Sequence, residues 1–263
     1  LIMRASTDSG RTWSKARLIA PEHALRHQPV ESVFRTREGL LVLPCDAVTG
    51  GSGGTAIHVS ADGGRTWTDP GAGRPDPKFV SDGTGAWIAG IHAGVVQLRD
   101  GKLLALGRGD NINGRMPASV SDDMGRTWRY SASEFPPLGS GQRLVLRRLS
   151  QGPILLVSFT DRKKGMMMRM SGGQEKRAYG MFAALSYDDG RTWPDKRLIT
   201  AGGPPREIDG GGNTGRFTMD DTHAEPRGYL AATQTPNGLV HLITSKQHYV
   251  FNPAWIRRAA ASK

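Results

Sequence analysis

One eight-residue pattern, Ser-x-Asp-x-Gly-x-Thr-Trp, occurs four times in this chain, at Ser6–Trp13, Ser60–Trp67, Ser121–Trp128 and Ser186–Trp193. The copies begin 54, 61 and 65 residues apart. A recurrence of that length marks an array of supersecondary units, each needing a neighbour to cover its apolar face. Within a copy the chemistry is that of a hairpin turn. The Asp carboxylate accepts backbone N–H bonds and the Gly supplies φ > 0. The Thr starts the next strand, and the Trp is an apolar body to wedge between sheets. The four Asp residues therefore read as turn staples and not as catalytic groups.

The repeat continues outside these boxes. Val30–Phe34 and Leu40–Leu43 are apolar runs joined by a turn ending at Gly39, and Ala93–Leu98 and Lys102–Leu106 are joined at Gly101. Leu144–Leu149 and Pro153–Phe159 meet at Gly152; Tyr229–Thr235 and Leu239–Thr244, with no box after them, meet at Gly238. Apolar alternation between Gly, Asn and Asp turns predicts strands. Two inner strands, a strand into the box and a strand out of it make a four-stranded blade. The predicted fold is all-β, a β-propeller over residues 1–258 with a tail at 259–263. Leu1–Ile19 reads as an outer hairpin whose inner half is missing, so the chain is expected to be truncated at its N-terminus.

Thirty-five basic against 24 acidic residues give a net charge of +11, which favours anionic partners. No nucleic-acid motif or basic–aromatic interleaving accompanies the charge, so an anionic glycan is expected and nucleic acid is not. The one cysteine, Cys45, excludes an internal disulfide and sits in an apolar strand. No run is long enough to span a membrane. His223, His241 and His248 lack the companions of a metal site and read as separate surface or core residues, so no metal or cofactor is expected. Met166–Met168, in the basic stretch Arg162–Arg177, reads as a rim loop or strand edge. Gly202–Gly215 lacks a phosphate-loop Lys-Ser/Thr pair and reads as a mobile loop near the channel. The aromatics of His248–Trp255 are expected to close the last sheet.

Aligning the units on their turn glycines exposes a candidate site. Nine positions before each glycine stand Val30, His92, Arg143 and Tyr229; seven positions after stand Asp46, Arg108, Phe159 and Ser245. Antiparallel pairing brings both columns to one end of a blade. Asp46, His92, Arg108, Arg143 and Tyr229 should then converge at one channel mouth, with more polar and charged groups than packing requires.

The boxes resemble the Asp-box (BNR) repeat of sialidases and related propellers. That resemblance implies six blades in a complete propeller. It also implies an arginine triad on the substrate carboxylate, a Tyr nucleophile activated by a Glu, and an Asp general acid; sialidases are the Tyr-nucleophile exception among glycosidases. Tyr229 matches the nucleophile segment by its spacing to Gly238, and Arg108 follows His92 by sixteen residues, as a triad arginine follows the activating Glu. Histidine stands where the family has glutamate, so His92 or Glu225 is implied as proton acceptor. Asp46 is a further catalytic candidate, while the general acid has no clear match. Arg143 is a second anion-binding arginine, and Arg227 either joins them or pairs with Glu225. The implied function is a sialidase-like glycoside hydrolase, exo-acting on an anionic sugar such as sialic acid, in a secreted or periplasmic protein. Two other functions stay open: a propeller lyase that eliminates across a uronate with His, Tyr and Arg, and a glycan-binding propeller without chemistry.

Overall fold

The computed structural model describes residues 2–18, 30–31, 33–47, 52–170 and 173–257; the tail at 259–263 lies outside them. The chain forms consecutive antiparallel sheets. Ile2–Met3 pairs with Arg17–Leu18 around the first box. Phe34–Arg35, Leu41–Asp46 and Thr55–Ser60 form a three-stranded sheet. Ile91–Gln97, Leu103–Arg108, Pro117–Ser121 and Trp128–Ala132 form the next, with Thr84–Gly85 added as a fifth strand. Val145–Arg148, Ile154–Phe159, Met181–Ser186 and Asp195–Leu198 form a four-stranded sheet. Ala231–Gln234, Val240–Ile243 and His248–Phe251 form the last, followed by a short helix, Pro253–Arg257. No helix among the described residues is long and apolar enough to cross a membrane.

The blades are less uniform than the four-stranded expectation, and the residues after each box explain it. After Trp67, Thr68 makes one bridge to Val59 before Asp69-Pro70 ends the pairing, since Pro cannot donate to a ladder. After Trp128 the alternation Trp-Arg-Tyr-Ser-Ala continues, with Trp128 and Tyr130 buried and Arg129 and Ser131 exposed. The stretch read as a rim loop or strand edge is a strand, and the one read as a mobile loop holds a hairpin. Met166–Arg169 pairs with Glu175–Ala178, and within the Gly-rich region Arg206–Asp209 pairs with Arg216–Met219.

The boxes share one hydrogen-bond pattern. The Ser hydroxyl donates to the Asp carboxylate and accepts the N–H of the box glycine at 2.8 Å in all four copies. The Asp also accepts the Thr N–H at 2.8–2.9 Å. The residue before the box glycine has φ > 0 as well, even where it is Ser9, Met124 or Asp189. These bonds favour the ionised carboxylate. The side-chain bond from Thr12 holds Asp8 down from 3.8 to about 2, and that from Thr192 does the same to Asp188. A depressed folded-state value means the stabilisation is complete above the ordinary carboxylate range and is lost as pH falls through the folded value. Melting temperature is therefore expected to fall between about pH 4 and pH 2, and Asp188→Asn should flatten part of that decline, as circular dichroism melts across the range would record.

Sheets pack face to face. Val42 and Ile57 of one sheet meet Val95, Leu103 and Trp128 of the next. A larger core joins Leu104, Leu156, Phe182, Trp193, Val240 and Phe251 across three sheets. The inner strand Ile91–Gln97 lies between Leu41–Asp46 and Val145–Arg148, and a Cβ at Gly94 would come within 2.8 Å of Leu144 and Leu146 side chains.

A second recurring device sits at the turn end of the blades. The residue four before each turn glycine donates to that glycine's carbonyl: Arg35 to Gly39 at 2.9 Å, Gln97 to Gly101 at 3.3 Å, Arg148 to Gly152 at 2.7 Å and Gln234 to Gly238 at 3.3 Å. The same column also reaches the preceding blade. Gln97 accepts the N–H of Arg37 at 2.9 Å, and Gln234 accepts that of Ser150 at 2.8 Å. Arg148 has no acceptor to offer, so it binds Asp189 at 2.7 Å, whose other oxygen accepts the N–H of Arg99 at 3.0 Å. The blades of Gln97, Arg148 and Gln234 are thus each clasped to the one before.

Candidate functional site

At the opposite end of the blades the inner strands begin, and there the aligned columns meet. Asp46 ends the strand Leu41–Asp46 and is 3 % exposed. It accepts the backbone N–H of His92 at 3.0 Å, and its other oxygen lies 3.2 Å from His92 Nε2. His92 sits in a register shift between Ile91 and Gly94 with φ of 54°, a conformation an L-residue adopts only under tertiary constraint. Asp46 supplies that constraint through both bonds.

Arg143 ties four blades together. Its Nε donates to His92 Nδ1 at 3.0 Å and its Nη1 to the Val30 carbonyl at 3.4 Å. Its Cζ lies 4.5 Å from the centroid of the Tyr229 ring, and its backbone N–H donates to Gly228 at 3.0 Å. A guanidinium only donates, so His92 Nδ1 must be the acceptor. The imidazole proton is then on Nε2, directed at Asp46, and both ring nitrogens are engaged. The rings of His92 and Tyr229 meet edge to face at 5.9 Å, with Tyr229 43 % exposed at the mouth. Burial pulls the Arg143 guanidinium below its ordinary value; Tyr229, Glu31 and Asp46 oppose that, and the neighbouring cation Arg108 adds to it. Arg108 Nη1 donates to the Gln142 carbonyl at 3.1 Å, one residue from Arg143. Two guanidiniums near one another can take a carboxylate through charge-assisted hydrogen bonds.

The structure thus brings Asp46, His92, Arg143 and Tyr229 into contact, with Arg108 beside them. Glu225 is elsewhere. It is fully buried, accepts Tyr249 Oη at 2.9 Å and Thr214 Oγ1 at 3.1 Å, and burial raises its pKa. Neither Tyr229 nor Arg227 is its hydrogen-bond partner. Arg227 is exposed on the rim, where Nε donates to the Thr214 carbonyl at 3.4 Å. Phe159 is buried and Ser245 lies beside Gly211, so neither adds a polar group to the cluster. His241 and His248, read as separate, stack at 5.2 Å with ring nitrogens 3.0 Å apart.

Two residues at the mouth escaped the alignment. Gln142, 2 % exposed, donates to the Pro226 carbonyl at 3.0 Å and accepts the Gly139 N–H at 2.8 Å, fixing the segment that carries Arg143. Asp110 stands two residues beyond Arg108 with φ of 44°, and accepts the Gly53 N–H at 3.1 Å. Partial burial raises its pKa against the hydrogen bonds from Gly53 and Gly54. The signal in the sequence was its place in Gly107-Arg108-Gly109-Asp110, just past a column residue.

Comparison with known proteins follows the same lines. The chain is 24% identical over 240 residues to a sialidase of Bacteroides fragilis (strain YCH46), a match covering 88% of this chain and 39% of that protein. It therefore spans about two fifths of that relative's length. Among solved structures, the NanB sialidase of Streptococcus pneumoniae superposes with a TM-score of 0.58 at 20% identity, over 98% of this chain and 33% of that one. The GH93 α-L-arabinofuranosidase of Fusarium graminearum superposes with a TM-score of 0.56 at 13% identity, over 98% of this chain and 70% of that one. These superpositions speak to the fold. The model of the BNR repeat-like domain matches residues 1–242, and the chain belongs to that family.

Proposed function

We propose that this chain carries the anion-binding part of a glycoside hydrolase site acting on a terminal sugar that bears a carboxylate, sialic acid being the sugar of reference. The observation that carries this reading is the Arg143 guanidinium, stacked on the exposed Tyr229 ring with Arg108 beside it. The names of the Bacteroides and Streptococcus relatives support the same sugar class.

In the proposed reaction the substrate carboxylate takes donors from Arg143 and Arg108. Drawing Arg143 Nε away from His92 frees Nδ1, the one basic lone pair beside Tyr229. Tyr229 Oη then attacks the anomeric carbon, its proton passing to His92 Nδ1, while the leaving oxygen takes the proton of Asp110. Water reverses the sequence and releases the sugar with retained configuration. Asp46 holds His92 throughout and does not act as the acid.

The test is a fluorogenic sialoside assay with near-UV absorbance on uronic-acid polysaccharides as its counterpart. Fluorophore release that falls by at least ~10³-fold in Tyr229→Phe is the expected result. A near-UV rise with no fluorophore would make the protein a lyase. Saturable sialoside binding without turnover would make it a lectin-like module.

A further inference from the structure

The blade that carries Arg143 differs from the others at the site end. The links between second and third strands span residues 47–54 and 109–116 in the two preceding blades and 244–247 in the last, but 160–180 here. The extra length holds the hairpin Met166–Arg169/Glu175–Ala178, which runs directly into Tyr179. Tyr179 and the segment after Thr222 enclose a cavity of about 350 Å³ lined by Thr160, Arg162, Tyr179, Phe217, His223 and Pro226, among others. None of these side chains takes part in the cluster around Arg143.

The cavity is built with some care for orientation. The Tyr179 and His223 rings stack at 5.2 Å with 9° between their planes. Asp220 holds the imidazole, both of its oxygens lying 3.1 Å from His223 Nδ1, while the backbone N–H groups of Thr222 and His223 donate to it at 2.6 and 2.7 Å. A carboxylate at Nδ1 places the proton there and leaves Nε2 as an acceptor for a hydroxyl. Arg162 donates to the Ser140 carbonyl, and a Cβ at Gly139 would lie 3.9 Å from its Cζ. The lining therefore offers flat apolar faces, hydroxyls, one ring acceptor and one cation, the mixture that a saccharide's C–H faces and hydroxyl edges match.

Two parallel bridges connect this cavity to the mouth: Tyr179 with His223, and Gln142 with Gly228. One short segment, His223–Tyr229, thus lines the cavity at its start and the Arg143 cluster at its end. Six residue steps separate those points, at most about 20 Å of chain.

We infer that the Tyr179–His223 cavity is a binding site for the sugar on the leaving-group side of the scissile bond, so that the protein prefers oligosaccharides to simple glycosides. This rests on the proposed hydrolase reading, and the experiment separates the two. Wild type, Tyr179→Ala and His223→Ala are assayed on sialyllactose and on an aryl sialoside, and lactose binding is followed by saturation-transfer NMR. Either substitution should lower kcat/KM on sialyllactose roughly tenfold, leave the aryl sialoside within about twofold, and abolish the lactose signal. Equal losses on both substrates would make the cavity structural and overturn the inference, as would unchanged values on both. Wild-type protein that cleaves neither substrate yet shows a lactose signal lost in Tyr179→Ala would sink the hydrolase reading and keep the sugar site. No lactose signal in wild type would sink the site.

Discussion

Arg143→Ala should lower kcat/KM on a carboxylate-bearing glycoside by ~10²–10³-fold while the protein stays folded. The guanidinium touches Val30, His92 and Tyr229 together. Charge-assisted hydrogen bonds contribute about 1.5–3 kcal/mol each, and a bidentate pair to a carboxylate loses roughly 3–4 kcal/mol, two to three decades in rate. The fold should tolerate the change because the backbone N–H of Arg143 still donates to Gly228 and the strand Val145–Arg148 keeps its ladder. Lysine restores the charge but not the planar fork, so Arg143→Lys should recover only part of the loss. A paired assay on a sugar without the carboxylate is the control. Equal loss on both sugars would place Arg143 in the scaffold and not in anion binding.

The largest expected effect on stability comes from a tryptophan that the sequence presents as one of four equals. Trp128 is 1 % exposed, whereas Trp13, in the same position of the first box, is 58 % exposed. Trp128 packs in the core formed with Val42 and Ile57 of the preceding sheet, and a Cβ at its box glycine, Gly125, would come within 2.3 Å of the Ile57 side chain. Trp128→Ala should cost about 3–5 kcal/mol in urea unfolding, and Trp13→Ala less than about 0.5 kcal/mol. The contrast is the test: similar costs for the two would mean that the box turn itself, and not the neighbouring sheet, sets the contribution of the tryptophan.

That contrast also marks what local sequence can carry. The box is legible because its bonds run between residues at most four apart, from Ser60 and Asp62 to Gly64 and Thr66. The convergence of Asp46, His92, Arg143 and Tyr229 was legible because repeats in register put equivalent positions at equivalent heights. Which side chain takes which partner was not. Arg143 meets His92 across 51 positions, and Glu225 turns to Tyr249 rather than to its near neighbours Arg227 and Tyr229. Those choices follow from the packing of neighbouring sheets, which no periodicity encodes. The Gly-rich stretch misled for a related reason. Glycine content argued for a loop, while the alternation in Arg206–Asp209 and Arg216–Met219 was enough to pair two short strands.

The clasp at the turn end gives the array a direction. Three of the blades extend a hook toward their predecessor, and the eye each hook takes is the N–H two residues before the predecessor's turn glycine. Hook and eye sit on different blades, so a copied blade inserted in frame arrives already fitted to both neighbours. Growth of such an array by duplication needs no new joint to be invented. The exception is Pro236, which occupies the eye position of the last blade and has no N–H to present. The last blade therefore carries a hook and no eye, so among the described residues it is clasped on one side only.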